Sequence, residues 1–176
     1  MEENIIAPYL LRAYAWQIMK ANLGMSETDY EGKAPLVPLG EREEIKKYGK
    51  PYIVYAYTEQ SPNRISAKSV GNMAFVIQAD EFSKLVNISN VLARAFERAD
   101  QSATDLNEFS STISGFIGLR FGTIELAFVD VSEPEESEGG EMTGVVNIRY
   151  EYYANYDGLV TSIAHWDAGS QSYVKN

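Results

Sequence analysis

The sequence predicts an α+β domain: a mixed, mainly antiparallel sheet with a long β-hairpin, and helices packed on one face. Three patterns carry this reading. YIVYAYT (52–58) and MAFVIQA (73–79) are β-branched and aromatic with little polar alternation, as in central strands covered on both faces. Residues 8–23 and 80–99 place apolar side chains at helical spacing. Residues 121–131 and 144–156 alternate with a two-residue period on either side of an acidic stretch, the pattern of a hairpin. At 176 residues and 45% apolar content the chain fits a single domain, 1–176, with one substantial core.

Taken in order, PYLLRAYAWQIMKANL aligns Leu11, Tyr14, Ala15, Ile18 and Met19 on one helical face, with Pro8 suited to the first turn and Gly24 to the end. Residues 25–51 read as an arm, because Gly32, Pro35, Pro38 and Gly40 interrupt any long element. Within it, Glu43 and Lys47 stand four apart in the favourable order, consistent with a two-turn helix or a charged loop. A loop of about fourteen residues containing Arg64, Gly71 and Asn72 joins the two apolar strands, a length that often serves a contact. The helix expected from Asp80 to Ala99 carries a stripe of Phe82, Leu85, Val86, Leu92 and Phe96 and should lie across the sheet. Asp105 and Glu108 resemble the start of a second, short helix ending near Gly115.

The hairpin spans 121–156 with its acidic loop at 132–143. Its first strand alternates Ile124, Leu126 and Phe128 against Glu125, Ala127 and Val129. Its second puts Val146, Ile148, Tyr150, Tyr152, Ala154 and Tyr156 on one face and Asn147, Arg149, Glu151, Tyr153 and Asn155 on the other. Such length, about 40 Å at roughly 3.3 Å per residue, should make the hairpin curl strongly or project to meet a partner. Residues 157–176 form a peripheral segment with one short strand at most.

The composition closes off several chemistries. Zero cysteines remove disulfides, thiolate nucleophiles and sulfur-ligated metals, and fit a reducing compartment. A net charge of -10 opposes sequence-specific nucleic-acid binding, which relies on Lys and Arg to neutralise phosphates. Met1 is followed by Glu2 and Glu3, and Arg12 breaks the run from Ile5 to Met19, so neither a signal peptide nor a membrane span is expected. His165 is the only histidine and no GxSxG accompanies it, which leaves it a structural or surface residue. GFIGLRFG (115–122) lacks dinucleotide spacing and the Lys of a phosphate loop, and so reads as a turn.

No catalytic, cofactor-binding or metal-ligating residue is assigned, and no cofactor is expected. Glu133, Glu135, Glu136, Glu138 and Glu141 read first as a solvated loop, then as a binding or channel-lining surface, and last as a metal site. The sixth residue from Asp130 is Glu135, where a calcium loop of the helix-loop-helix type needs Gly. Tyr150, Tyr152 and Tyr156 share a strand face and serve either core or interface. With the five glutamates and Arg64 they are the candidate interaction residues.

The order of amphipathic helix, arm, YIVYAYT, MAFVIQA, the helix from Asp80, then FGTIELAFVDV and GVVNIRYEYYANY resembles the tail terminator, or tail completion, proteins of long-tailed bacteriophages. The resemblance covers about residues 8–156 and rests on element order, chain size and acidity; no short motif carries it. It implies a non-enzymatic virion protein that forms a homohexameric ring on the finished tail tube, stops polymerisation and presents a surface for head or neck joining. The implied partners are other copies, the tail tube protein, a neck or connector protein and, in contractile tails, the sheath. The implied locations are the host cytoplasm during assembly and then the virion tail, with no membrane. Two alternatives from other classes stand beside it: a small-ligand-binding or enzymatic domain, and an acidic adaptor or nucleic-acid mimic.

Overall fold

Five strands form one sheet in the order β1-β2-β3-β5-β4, in a computed structural model that describes residues 7–49, 51–60, 68–112, 119–132, 142–154 and 164–175. They are β1 (Leu36–Pro38), β2 (Tyr52–Glu59), β3 (Lys68–Ala79), β4 (Leu119–Val131) and β5 (Met142–Ala154). β1 runs parallel to β2 and the other pairs are antiparallel, so the molecule is α+β with an open mixed sheet. Three helices, α1 (Ala7–Leu23), α3 (Phe82–Phe96) and α4 (Ala99–Ser110), contribute to the main core on one face. That core joins Leu10, Leu11, Met19, Leu85, Leu92 and Leu106 to the inward strand positions Ile53, Tyr55, Met73, Phe75, Ile77, Val146, Ile148 and Tyr150.

Several expectations are corrected. The 25–51 arm is more than a connection: Leu36–Pro38 pairs with Ile53–Tyr55, and buried Arg12 on α1 donates from Nε to the Leu36 carbonyl at 3.0 Å. The helix near Glu43 is α2 (Arg42–Lys46), barely more than a turn. Its Ile45 packs with Tyr30, Val37, Tyr52 and Val54 in a second cluster on the opposite face of the sheet. β2 is therefore covered on both faces only over its first half, and Ala56 to Glu59 are exposed.

β3 begins at Lys68, so Gly71 and Asn72 belong to a strand rather than a loop. Gly71 faces Tyr150, and a Cβ there would overlap the Tyr150 ring. The helix expected over 80–99 is α3, which stops at Phe96; the chain bends at Glu97 and Arg98, and the expected second helix is α4, which starts at Ala99, so Asp105 lies within it instead of starting it. The bend lets Ala103 and Leu106 turn inward beside Phe96.

The hairpin does not stand alone. β3 pairs with β5 from Lys68↔Tyr153 to Ala79↔Met142, supporting it along its length. β4 also breaks its alternation, with irregularities between Phe121 and Thr123 and between Leu126 and Phe128. Each bulge adds an unpaired residue and bends the strand, which answers the predicted curl. After the second bulge Phe128 pairs with Asn147 and faces away from the helices, while Val129 pairs with Val146. The C-terminal region holds two strands, β6 (Ala164–Asp167) and β7 (Ser172–Lys175), paired as a separate small sheet. No helix of the described residues is long and apolar enough to cross a membrane.

Candidate assembly surface

The helix-free face of the sheet follows from strand parity. Val54 and Val76 lie under the second cluster at one corner. Beyond that corner the same face presents Ala56 and Thr58 from β2, Val70, Asn72 and Ala74 from β3, Val145 and Asn147 from β5, and Phe128 from β4. None of these is buried, and no described element covers them. Phe128 is 52% exposed and Tyr153, on the same face, 43%. Val129 on the helix face of the same strand end is 40% exposed. Between Phe128 and Tyr153 the helix-free face carries Glu125, Arg149 and Glu151, so the exposed aromatics stand at two ends of a mixed polar and apolar surface.

Charges lie within this face, on the interior strand β5. Lys68 Nζ meets Glu151 Oε2 at 2.9 Å, and Arg149 reaches Glu151 Oε1 at 3.5 Å. The hydrogen bond from Lys68 holds the Glu151 carboxyl below its ordinary range, more than offsetting the partial burial that would raise it.

Both sheet edges are blunted locally by side-chain amides. On the β4 side, Asn107 of α4 donates from Nδ2 to the Phe121 carbonyl and accepts the Phe121 N–H at Oδ1, both at 2.9 Å. On the β1 side, Gln171 donates to the Ala34 carbonyl at 2.9 Å and accepts the Ala34 N–H at 2.6 Å. Each amide supplies the donor and acceptor that a neighbouring strand would offer. From Thr123 to Val131, β4 has no strand partner on its outer side among the described residues.

The expected interaction residues divide into three groups. Tyr150 is fully buried and belongs to the core instead of a contact surface. Its hydroxyl donates to Glu59 Oε1 at 2.8 Å, and burial, reinforced by the Glu59 charge, pushes its pKa far up. Tyr152 is half-buried, stacks on Tyr150 and donates to Glu59 Oε2 at 3.0 Å. The fold thus brings these two tyrosines together through one carboxylate that the sequence reading did not single out. Glu133, Glu135, Glu136, Glu138, Glu141, Tyr156 and Arg64 lie outside the described residues. Phe128 and Val129 were missed because strict alternation placed Phe128 in the core; only the bulge exposes it.

Three open clefts among the described residues border α1, α3 or α4, one of them, of about 460 Å³, between α4 and the start of β4; the other two involve α1. One of about 280 Å³ sits between the end of α1 and α3, lined by Leu23, Met25, Tyr30, Lys84 and Ile88. The other, of about 260 Å³, lies where α1, α3 and the start of α4 meet. Among the described residues no group of three His, Asp or Glu is placed to hold a metal ion. No family model and no curated protein matches the chain.

Proposed function

We propose that this chain is a structural assembly protein of a phage tail, which caps the completed tail tube as a ring, stops its polymerisation and offers the surface for head or neck joining. The observation that supports this is the unequal dressing of the sheet: one face carries the helix layer, while the other leaves Phe128 and Tyr153 exposed and Ala74 and Val145 only partly covered, beside a half of β4 with no outer strand partner among the described residues. A ring built from heterologous contacts needs two unlike patches on every protomer. The helix layer and the bare sheet face are two such patches. The element order that resembles the tail terminator proteins points the same way.

On this reading the contacts are with other copies, the tail tube protein and a neck protein, joined in a contractile tail by the sheath; the reading assigns no catalytic step. Mixing the protein with purified tail tubes, then measuring mass in solution and imaging in negative stain, tests it. Rings at one end of the tubes are expected. A strict monomer that never decorates tube ends overturns the reading.

A further inference from the structure

The cleft where α1, α3 and α4 meet has an apolar floor of Ile18, Val91 and Ala95 and carries Arg94 and Arg98 on its wall. The two arginines are exposed, four residues apart, and neither has a carboxylate partner among the described residues. Asp105, which also lines the cleft, is held by Gln101 Nε2 at 2.7 Å. Two such arginines are conspicuous in a chain of net charge -10, where the acids themselves are concentrated: Asp130, Glu133, Glu135, Glu136, Glu138 and Glu141 follow one another with no basic residue between.

We infer that the Arg94–Arg98 cleft receives the acidic segment 132–141 of a second copy of this chain. This rests on the ring reading, to which it adds a specific head-to-tail contact. Charge complementarity selects the occupant, since arginine forks pair with carboxylates. Chain length favours a second copy over the segment's own cleft. The segment leaves the sheet beside Gly144, which packs against Leu85 and Ser89 on α3. From Leu85 to the end of α3 is about 16 Å of helix, with Arg98 beyond it. Ten residues anchored at both ends reach at most about 17 Å out and back, so that even a fully extended segment, with about 14 Å of helix from Leu85 to Arg94, has almost no chain left to lie along its own cleft.

A fluorescein-labelled peptide of residues 130–143, titrated into the full-length protein at low salt, tests the cleft directly. Binding is expected to weaken about tenfold or more in the Arg94→Glu/Arg98→Glu variant, and to fall for a peptide with its glutamates replaced by glutamine. Equal binding by the wild type and the arginine variant, or none to either, overturns the inference. Sedimentation of the arginine variant mixed with a Glu133→Lys/Glu135→Lys/Glu136→Lys/Glu138→Lys chain supplies the second arm. The mixture is expected to associate where each variant alone does not, and failure to associate counts against the contact. Circular dichroism confirms that both variants fold. Rings that form unchanged with the arginine variant sink this contact while sparing the ring; peptide capture without any ring on tail tubes does the reverse.

Discussion

At the scale of single residues, Gly71 shows how one missing side chain organises a corner of the sheet. Tyr150 lies across the space a Gly71 Cβ would fill, and this position brings its hydroxyl to Glu59 on the neighbouring strand while Tyr152 takes the other carboxylate oxygen. Gly71→Ala should therefore displace the ring and cost about 1–3 kcal/mol, as overpacking of a filled site does. Tyr150→Phe keeps the ring but removes a charge-assisted hydrogen bond, for an expected loss of about 1.5–3 kcal/mol. Urea denaturation of both variants checks this. An alanine at 71 with wild-type stability contradicts the proposed packing. The tyrosine face of β5 was legible because β5 pairs with β3 without a register shift, so its two-residue period is kept. The partner position was not, because a glycine beside an asparagine looks like turn chemistry and only the cross-strand neighbour reveals that the space is needed.

At the scale of elements, the β3–β5 pairing and the bulged β4 divide stability from assembly. Glu151 has its pKa lowered mainly by the hydrogen bond from Lys68. A carboxyl whose folded pKa is depressed stabilises the fold at pH above its unfolded value, about 4.3, and that contribution disappears as pH falls through the folded value. Lys68→Met should accordingly be less stable than the wild type at pH 7, with the gap closing as pH drops below about 4. Urea midpoints at the two pH values decide it, and a gap that persists in acid refutes the role given to this pair.

Phe128→Asp is expected to change stability by no more than about 0.5 kcal/mol, because its side chain is half in water. On the assembly reading the same change removes decoration of tube ends, and a variant that still decorates them removes Phe128 from the contact. The five-stranded core was largely legible from apolar runs and helical stripes. Three features were not. A three-residue parallel strand is too short to leave a period, the start of α4 at Ala99 carries no Gly, Pro or capping side chain to mark it, and the Ala127 bulge breaks an alternation that the sequence itself continues through. Of the candidate contact residues only Tyr150 and Tyr152 fall where the structure can place them, and burial separates their roles.

At the scale of the whole molecule, the two edges of the sheet are handled differently, and the difference bears on how copies meet. An unpaired strand edge invites another chain. On the β4 side the guard is Asn107, which belongs to the helix layer and is fixed by its packing; beyond Phe121 the edge stays open. On the β1 side the guard is Gln171, next to the turn joining β6 to β7, where Asp167 accepts from the Gly169 and Ser170 amides. Gln171 ties this turn to Ala34, just before β1, through two hydrogen bonds, each worth about 0.5–1.5 kcal/mol. Gln171→Ala should leave the core intact and raise local opening at Ala34 by a factor of about two to ten for each such bond lost. Amide hydrogen exchange followed by NMR reads this residue by residue: the Ala34 amide should exchange faster while the Ile77 amide in central β3 keeps its protection. If Ala34 exchanges at the wild-type rate in the variant, the C-terminal hairpin is held by other contacts and the β1 edge is closed more firmly than the β4 edge. If it speeds up, the Gln171 bonds hold the chain entering β1, while β4 beyond Phe121 has no strand partner on its outer side among the described residues, an asymmetry that a head-to-tail ring would use.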